Sequence, residues 1–435
     1  MSKNLIEKIY ASFIFIIFLM IVFHAPLTVI STQLFGNGAL FFKAWKEILM
    51  FLTIPLAIIV IHKHNLIEVL KKSFIFWLVI TYVVIHMIVV VFNFQGLLPT
   101  AAGILIDLRY VLFFTIVYIF LIAFPHYRNL FIKAAIIGML IVVYFATMQL
   151  FLPRDVLALI GYDKTTIIPY LLVDDNDSFV RVNSTLRGPN PLGAYAVIVI
   201  GVIGSIAVKH VKIFKKNNGI LTTTIFIASL ITLWISYSRS ALFAGIVVIL
   251  ILVLYQYRKN VFTIKGAALG TMLILVCLTV VFALRSTPLI SNVLLHDNPG
   301  NGNGALTNYD HLESVMNGIS RVGVQPFGYG VGSTGSASLL GNSSLIIENQ
   351  YLFIAHEIGV VGLIVFSTLN FVLIIELWKR RESWLSLAVF ASGIGLFLIG
   401  ILLPVWVDDT VSITWWGLAA IALSTDRKKI IEKQT

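Results

Sequence analysis

Long apolar runs separated by short polar segments form the dominant pattern of this chain. The runs are continuous and do not alternate with period two, which excludes the strands of a membrane barrel. Their lengths approach the roughly 20 residues that a helix needs to cross hydrocarbon. The pattern therefore predicts an all-α fold, a single polytopic membrane domain over residues 1–435. About twelve transmembrane helices are expected, near residues 10–31, 48–62, 74–93, 103–124, 131–152, 190–208, 220–237, 240–256, 265–285, 350–375, 383–403 and 409–424.

The composition supports a membrane protein. Hydrophobic residues make up 59% of the chain and charged residues only 12%, whereas soluble domains carry about 25% charged residues. The net charge of +11 does not favour nucleic acid as a partner, because the basic residues lie between the apolar runs. The only cysteine, Cys277, excludes a disulfide or thiolate metal framework. The first run is long for a signal-peptide core and is expected to remain as a span.

The distribution of Lys and Arg predicts the orientation. With both termini in the cytoplasm, most of the 31 basic residues fall in inner loops, as the positive-inside rule requires. Two long segments, 153–189 and 286–349, then lie outside, the larger one between the ninth and tenth helices. Within the larger loop, "NYDHLESVMNGISRV" has apolar residues at helical spacing and predicts a short helix at the membrane surface.

Some cations fall outside or within the membrane in this topology, where orientation does not explain them. Ionisable residues at such positions are functional hypotheses by default. They are Lys43, Lys46, Arg109, Arg154, Lys164, Arg181, Arg187, Arg239, Arg285 and Arg321.

Two of these arginines lie in local sequences that favour an anion site. Arg239 lies in "SYSRSALFAG", at the tight turn of a helical hairpin and between two serines; it could grip phosphate or extend to lipid headgroups. Arg187 precedes "GPNPLGAY", where Asn190 can cap a helix whose N-terminus would attract an anion. A lipid-facing turn is the alternative for Arg187.

The remaining candidates have open roles. Arg109 is expected to pair with Asp107 or a neighbouring helix, in either a structural or a catalytic role. Lys43 and Lys46 either neutralise phosphate or anchor their helix. The Gly-rich stretch "VQPFGYGVGSTGSAS" lacks the context of a nucleotide loop, although its backbone N–H groups could contact phosphate or sugar oxygens.

A carboxylate stands at the start of a late apolar run, "ENQYLFIAHEIGVVG". Glu348 can act there as a general base, if the site raises its basicity. Alternatively, it is simply a carboxylate that the dipole at the helix N-terminus stabilises. His356 and Glu357, further along this run, are expected to pack against a neighbouring span.

Four segments of the chain, taken in order, resemble the O-antigen ligase and polymerase family over roughly residues 100–375. They are "RVNSTLRGPNPLGAY", "SYSRSALFAG", a long loop with "YDHLES" and "QPFGYGVGSTG", and "ENQYLFIAHEIGVVG". The resemblance implies an inverting glycosyltransferase that needs no metal or cofactor. Its substrates would be an undecaprenyl-pyrophosphate-linked oligosaccharide and an acceptor glycan, with a chain-length regulator as a further partner. It would lie in the bacterial cytoplasmic (inner) membrane with its active site facing outward.

The resemblance also assigns roles. The family's last motif is His-Asn, nine residues, Gly, two residues, Gly; here Glu348-Asn349 is followed at that spacing by Gly359 and Gly362. Arg239 matches the family's essential arginine, and the second family arginine aligns with His311 or Arg321. The missing histidine favours a polymerase of O-antigen, capsule or exopolysaccharide over a ligase, which remains the alternative.

The expected catalytic residues are therefore Glu348 as base, Arg239 and Arg187 as stabilisers of the leaving pyrophosphate, and His311. Asp310 and Glu313 are rival bases. The expected substrate-binding residues are Lys43, Lys46, Arg109, Arg181, Asp310, Arg321 and Asn349. A polysaccharide flippase or exporter is an alternative of another class, for which internal repeats would be typical; we recognise no repeat in the sequence.

Overall fold

The computed structural model describes residues 3–173, 176–211, 218–258, 287, 303–341 and 344–424. Within these residues the helices are α1 Lys3–Met20, α2 His24–Phe35, α3 Leu40–Lys43, α4 Trp45–Lys63, α5 Ile67–Lys71, α6 Phe74–Phe92, α7 Leu97–Ala123, α8 Arg128–Met148, α9 Pro189–Val208, α10 Asn218–Ile235, α11 Arg239–Gln256, α12 Asn303–Val324, α13 Gly335–Ser338, α14 Gln350–Lys379, α15 Trp384–Gly400 and α16 Asp409–Leu423.

The described helices confirm an all-α polytopic membrane fold. Eight of them are long and apolar enough to cross a membrane, with α1 and α2 counted as one continuous span, and α10, α15 and α16 are shorter apolar helices. The predicted helix near 265–285 lies outside the described residues, so the total of twelve stays a prediction.

Helix α9 is the centre of the bundle. Within its apolar window 83% of the residues are buried, compared with 28% for α6. A helix that is apolar on every side must be surrounded by protein or lipid, and α9 is surrounded by protein. Glycines permit the close approach of its neighbours: a Cβ on Gly193 would lie 2.7 Å from Ala241 Cβ of α11, and one on Gly395 of α15 would lie 2.8 Å from Val197 Cγ1.

The predicted loop 153–189 contains a small hairpin that the sequence pattern did not predict. Strand β1, Leu171–Val173, pairs antiparallel with β2, Asn176–Arg181, and Leu171 lies opposite Arg181. The next residues turn into the bundle and are buried. The Ser184 N–H donates to Gln149 Oε1 at 2.8 Å, and the Ser184 hydroxyl donates to the Val142 carbonyl at 2.8 Å. This anchorage to α8 fixes the segment that carries Arg187.

The Gly-rich loop, residues 325–335, packs into the bundle against a break in α14. Ile358 and Gly359 have non-helical backbone angles, and here the Tyr329 and Gly330 N–H groups donate to the carbonyls of His356 and Glu357, at 2.7 and 3.1 Å. At Gly332, with φ of +86°, an added Cβ would clash with the backbone of the first turn of α7. The two named N–H groups are thus engaged in packing and are not presented to a phosphate.

Candidate functional site

The helices α9, α11, α14 and α16 all begin at one end of the bundle, which we call the mouth. Arg181 connects two of these starts: its Nε donates to the Ser236 carbonyl at 3.0 Å, and its Nη2 donates to Asn190 Oδ1 at 2.6 Å. The guanidinium thus braces the first turn of α9 against the turn between α10 and α11. These contacts give Arg181 a structural role at the mouth, and its predicted role as a substrate ligand stays a prediction.

Arg239 is the first residue of α11 and therefore lies at this braced turn. Its side chain is half-buried, and the flanking Ser238 and Ser240 are buried with their hydroxyl oxygens 3.3 Å apart. The preceding residue, Tyr237, has φ of +45°, which lets the chain reverse between the helices without a longer loop. Burial raises the pKa of the Tyr237 hydroxyl, so this group is neutral at physiological pH.

Arg187 lines a pocket of about 350 Å³ at the mouth, which we call the Arg187 pocket. The Arg187 side chain is exposed. The pocket also contains the carboxylate residue Asp408, and most of its other walls are apolar. Those walls come from the starts of α9 and α14, from residues 335–339 and 346–347, and from the connection between α15 and α16 with the adjoining helix ends: Asn190, Pro191, Ala194, Gly335, Ser336, Leu339, Ile346, Ile347, Phe353, Ile399, Leu403, Pro404, Val405, Val407 and Val411.

A second pocket at the mouth, of about 280 Å³, is polar and is called the Arg321 pocket. Its charged residues are Arg321 and Glu313, both exposed on α12. Its other lining residues are Ser314, Asn317, Gly318, Leu345, Ile346 and Ile347. The two pockets share Ile346 and Ile347, and Leu345 beside them lines the Arg321 pocket, so we call residues 345–347 the partition. Glu348, which is half-buried, follows the partition directly.

Asn349 fixes the start of α14 directly after Glu348. Its Oδ1 accepts from the N–H groups of Tyr351 and Leu352, both at 2.9 Å, and its Nδ2 donates to the Ile401 carbonyl at 2.6 Å. It is therefore an N-cap that also attaches α14 to the end of α15. Asn349 was predicted as a substrate ligand, and the structure shows its amide engaged in these three protein contacts.

The predicted surface helix is present and longer than expected, covering Asn303–Val324 as α12. It packs on α14 at Gly318, where an added Cβ would lie 3.0 Å from Leu352 Cδ1. Asp310 and His311 lie on α12, but their side chains are outside the described part of the structure, so their expected roles stay predictions.

Lys46 and Arg109 belong to a buried ion cluster with His24, Glu47 and Asp409. Lys46 Nζ lies 3.0 Å from Glu47 Oε1 and 3.5 Å from Asp409 Oδ2, and His24 Nε2 lies 2.7 Å from Asp409 Oδ2. Arg109 pairs with Asp409 and lies 3.8 Å from Glu47. Two cations and two carboxylates balance one another, which burial requires.

This cluster shows which groups pair with Arg109. Its partners come from neighbouring helices, α4 and α16, and not from Asp107 of its own helix. Lys46 is 2% exposed and faces protein carboxylates, whereas the half-buried Lys43 contributes its carbonyl as an acceptor for Lys46 at 3.3 Å.

Sequence reasoning missed Asp408 and Asp409, although adjacent carboxylates at the start of an apolar run were a usable signal. Asp408 caps α16 by accepting from the Val411 N–H at 3.0 Å, and it lines the Arg187 pocket. Asp409 points to the ion cluster, and the carbonyl of Val407 accepts from Arg109. Three consecutive residues thus join the pocket to the cluster.

No protein-family model matches the chain, and no curated protein matches it. The fold and the site together define a polytopic α-helical membrane protein with two adjacent pockets at one end. The likeness to O-antigen ligases and polymerases stays a resemblance of motifs.

Proposed function

We propose that this protein is a polymerase of bacterial envelope polysaccharide, which transfers an undecaprenyl-pyrophosphate-linked glycan to a sugar acceptor at the outer face of the cytoplasmic membrane. The observation that carries the proposal is the partition 345–347, with a mainly apolar pocket containing Arg187 on one side and a polar pocket on the other. The two substrates show the same contrast, because a lipid-linked donor carries an apolar chain and a charged pyrophosphate, whereas a sugar acceptor is polar.

The donor would occupy the Arg187 pocket. Its apolar walls suit the first isoprenoid units, and the exposed guanidinium suits the pyrophosphate, since a planar fork binds phosphate oxygens in pairs. An apolar groove of about 430 Å³ between α4, α6 and α7, with Glu47 and Arg109 as its charged residues, offers room for more of the chain. Arg109 also bonds to Val407, which lines the Arg187 pocket, so the two spaces are close neighbours.

The acceptor sugar would occupy the Arg321 pocket, where Glu313, Ser314 and Asn317 offer partners for hydroxyl groups. In the proposed step, an acceptor hydroxyl oxygen attacks the anomeric carbon from the face opposite the pyrophosphate. A new carbon–oxygen bond forms, the bond to the phosphate oxygen breaks, and the pyrophosphate leaves with the electron pair. Glu348 takes the hydroxyl proton, and Arg187 and Arg239 stabilise the negative charge of the leaving group.

Polymer length in cells tests this assignment of Arg187. Arg187→Ala should reduce long polymer strongly, because loss of one transition-state donor typically costs about 10²–10³ in rate. Arg154→Ala is the matched control, since Arg154 precedes β1 on the same segment and its exposed side chain bonds to Asp177 at 2.6 Å. Equal polymer lengths in the two variants would remove Arg187 from the site.

A gene deletion separates the proposed polymerase from its alternatives. Loss of long polymer, with single repeat units still attached to the acceptor, is the expected result. Loss of every attached unit would indicate a ligase. Accumulation of lipid-linked repeat units on the cytoplasmic side would indicate a flippase or exporter.

A further inference from the structure

Three ionisable side chains that the proposed reaction does not use meet inside the bundle. They are His86 of α6, Asp107 of α7 and Glu357 of α14, which are 0%, 2% and 1% exposed. The Glu357 carboxyl is hydrogen-bonded to that of Asp107, and His86 Nε2 lies 3.6 Å from Asp107 Oδ2. Such residues within a span are costly unless they are paired or used.

Two carboxyl groups can form a hydrogen bond only if one of them carries a proton, because an ionised carboxylate only accepts. The surroundings supply a backbone donor for the negative charge that remains on the pair. The Thr334 N–H donates to Glu357 Oε1 at 3.3 Å. Two like charges at this distance in a dry site would repel strongly.

The other titratable groups that face the pair do not replace the missing proton. Tyr82 of α6 and Tyr110 of α7 place their hydroxyl oxygens 3.2 Å apart and bond to each other. His86 Nδ1 lies 2.8 Å from the Tyr82 carbonyl, which requires its proton on Nδ1. Within the described residues, no donor outside the pair reaches Asp107 Oδ2 or Glu357 Oε2, and Nε2 of His86 has no hydrogen-bond partner.

We propose that Asp107 and Glu357 hold one proton between them, and that this acid pair positions the partition between the two pockets. The connection runs through Thr334, whose N–H binds Glu357 while its hydroxyl donates to the Leu345 carbonyl at 3.1 Å. The Gly335 N–H donates to the same carbonyl at 2.8 Å. Leu345 is the first residue of the partition, so two hydrogen bonds separate the acid pair from it.

Glu357 is thus a positioning residue that acts through Thr334. The proton and the connection to Leu345 concern the folded protein alone, whereas the benefit to catalysis rests on the proposed function. An experiment without substrate therefore tests the inference independently of whether the protein is a polymerase.

Infrared spectroscopy of the purified protein in lipid at neutral pH tests the shared proton. The wild type should show the carbonyl stretch of a protonated carboxylic acid, shifted in heavy water. Glu357→Gln and Asp107→Asn should each remove this band, because the remaining carboxylate then accepts from an amide. Glu313→Gln, which changes an exposed carboxylate, is the control and should retain it. A wild type without the band, or a band that survives either buried substitution, overturns the shared proton.

Hydrogen exchange tests the connection to the partition. Glu357→Ala should speed exchange over residues 334–347 by about tenfold, the order expected for loss of a charge-assisted hydrogen bond, whereas Glu357→Gln, which can still accept from Thr334, should stay near the wild type. If Glu357→Ala does not fold, Thr334→Val gives the second reading, because it removes only the hydroxyl that holds Leu345. Unchanged exchange over 334–347 in the folded variants overturns the positioning role.

Discussion

Arg239 and Arg109 show how differently two arginines near one site can be used. Arg239 starts α11 at the mouth and is half-buried beside two serine hydroxyls. Arg109 is 6% exposed and faces the carboxylate of Asp409 and the carbonyl of Val407. The first can meet a ligand that enters the mouth, whereas the second supports the residues around it.

Substitution of Arg239 should therefore impair activity more than stability. We expect Arg239→Ala to abolish polymer and Arg239→Lys to remain impaired, because a point charge cannot replace a bidentate fork on phosphate. Expression and membrane insertion should be normal in both, measured by fluorescence-detected gel filtration. Normal polymer in both variants would assign Arg239 to lipid anchoring.

Substitution of Arg109 should have the opposite profile. Arg109→Met leaves Glu47 and Asp409 with one cation instead of two, and removal of one partner from a buried ion pair typically costs about 3–5 kcal/mol. We expect a large fall in thermal stability in detergent, with a smaller fall for Lys43→Met, since the Lys43 side chain is half-buried and only its carbonyl joins the cluster. A stability equal to the wild type would show that the cluster is dispensable.

At the scale of elements, the lengths and positions of the apolar runs predicted the described helices well, because each span must form its own backbone hydrogen bonds in lipid. The pattern did not predict the β1–β2 hairpin, whose strands of three and six residues carry no sustained alternation. Nor could it find the ion cluster, because Arg109 and Val407 are 298 residues apart in sequence and meet only through packing. The sequence pattern singled out the arginines that lie at the mouth. It did not predict that Arg181 would join two helix starts there, and its role as a substrate ligand stays a prediction.

The cap of α14 offers a test at this scale. Asn349→Ala removes two N-cap contacts and the bond to α15, and loss of a cap typically costs about 0.5–2 kcal/mol. Asn349→Asp keeps the cap and loses only the donor to Ile401, so we expect it to be intermediate in thermal stability. Equal stability of all three proteins would show that packing alone fixes the start of α14.

At the scale of the molecule, the central α9 and the helices around it bring four helix starts to one end, and both pockets open there. The bundle is the scaffold, and the segments between its helices carry Arg187, Glu348 and Asp408. Glu348 directly follows the partition between the two pockets. Its substitution therefore tests the proposed reaction most sharply.

Extension of undecaprenyl-linked repeat units by the purified protein, with Glu348→Gln beside the wild type, tests the central claim most directly. Glutamine keeps the shape of the side chain but cannot take a proton, and loss of a general base typically costs about 10²–10⁴ in rate. We expect the wild type to form long product, Glu348→Gln to be nearly inactive and Glu348→His to be partly active. A Glu348→Gln protein that extends the chain at the wild-type rate would contradict the account.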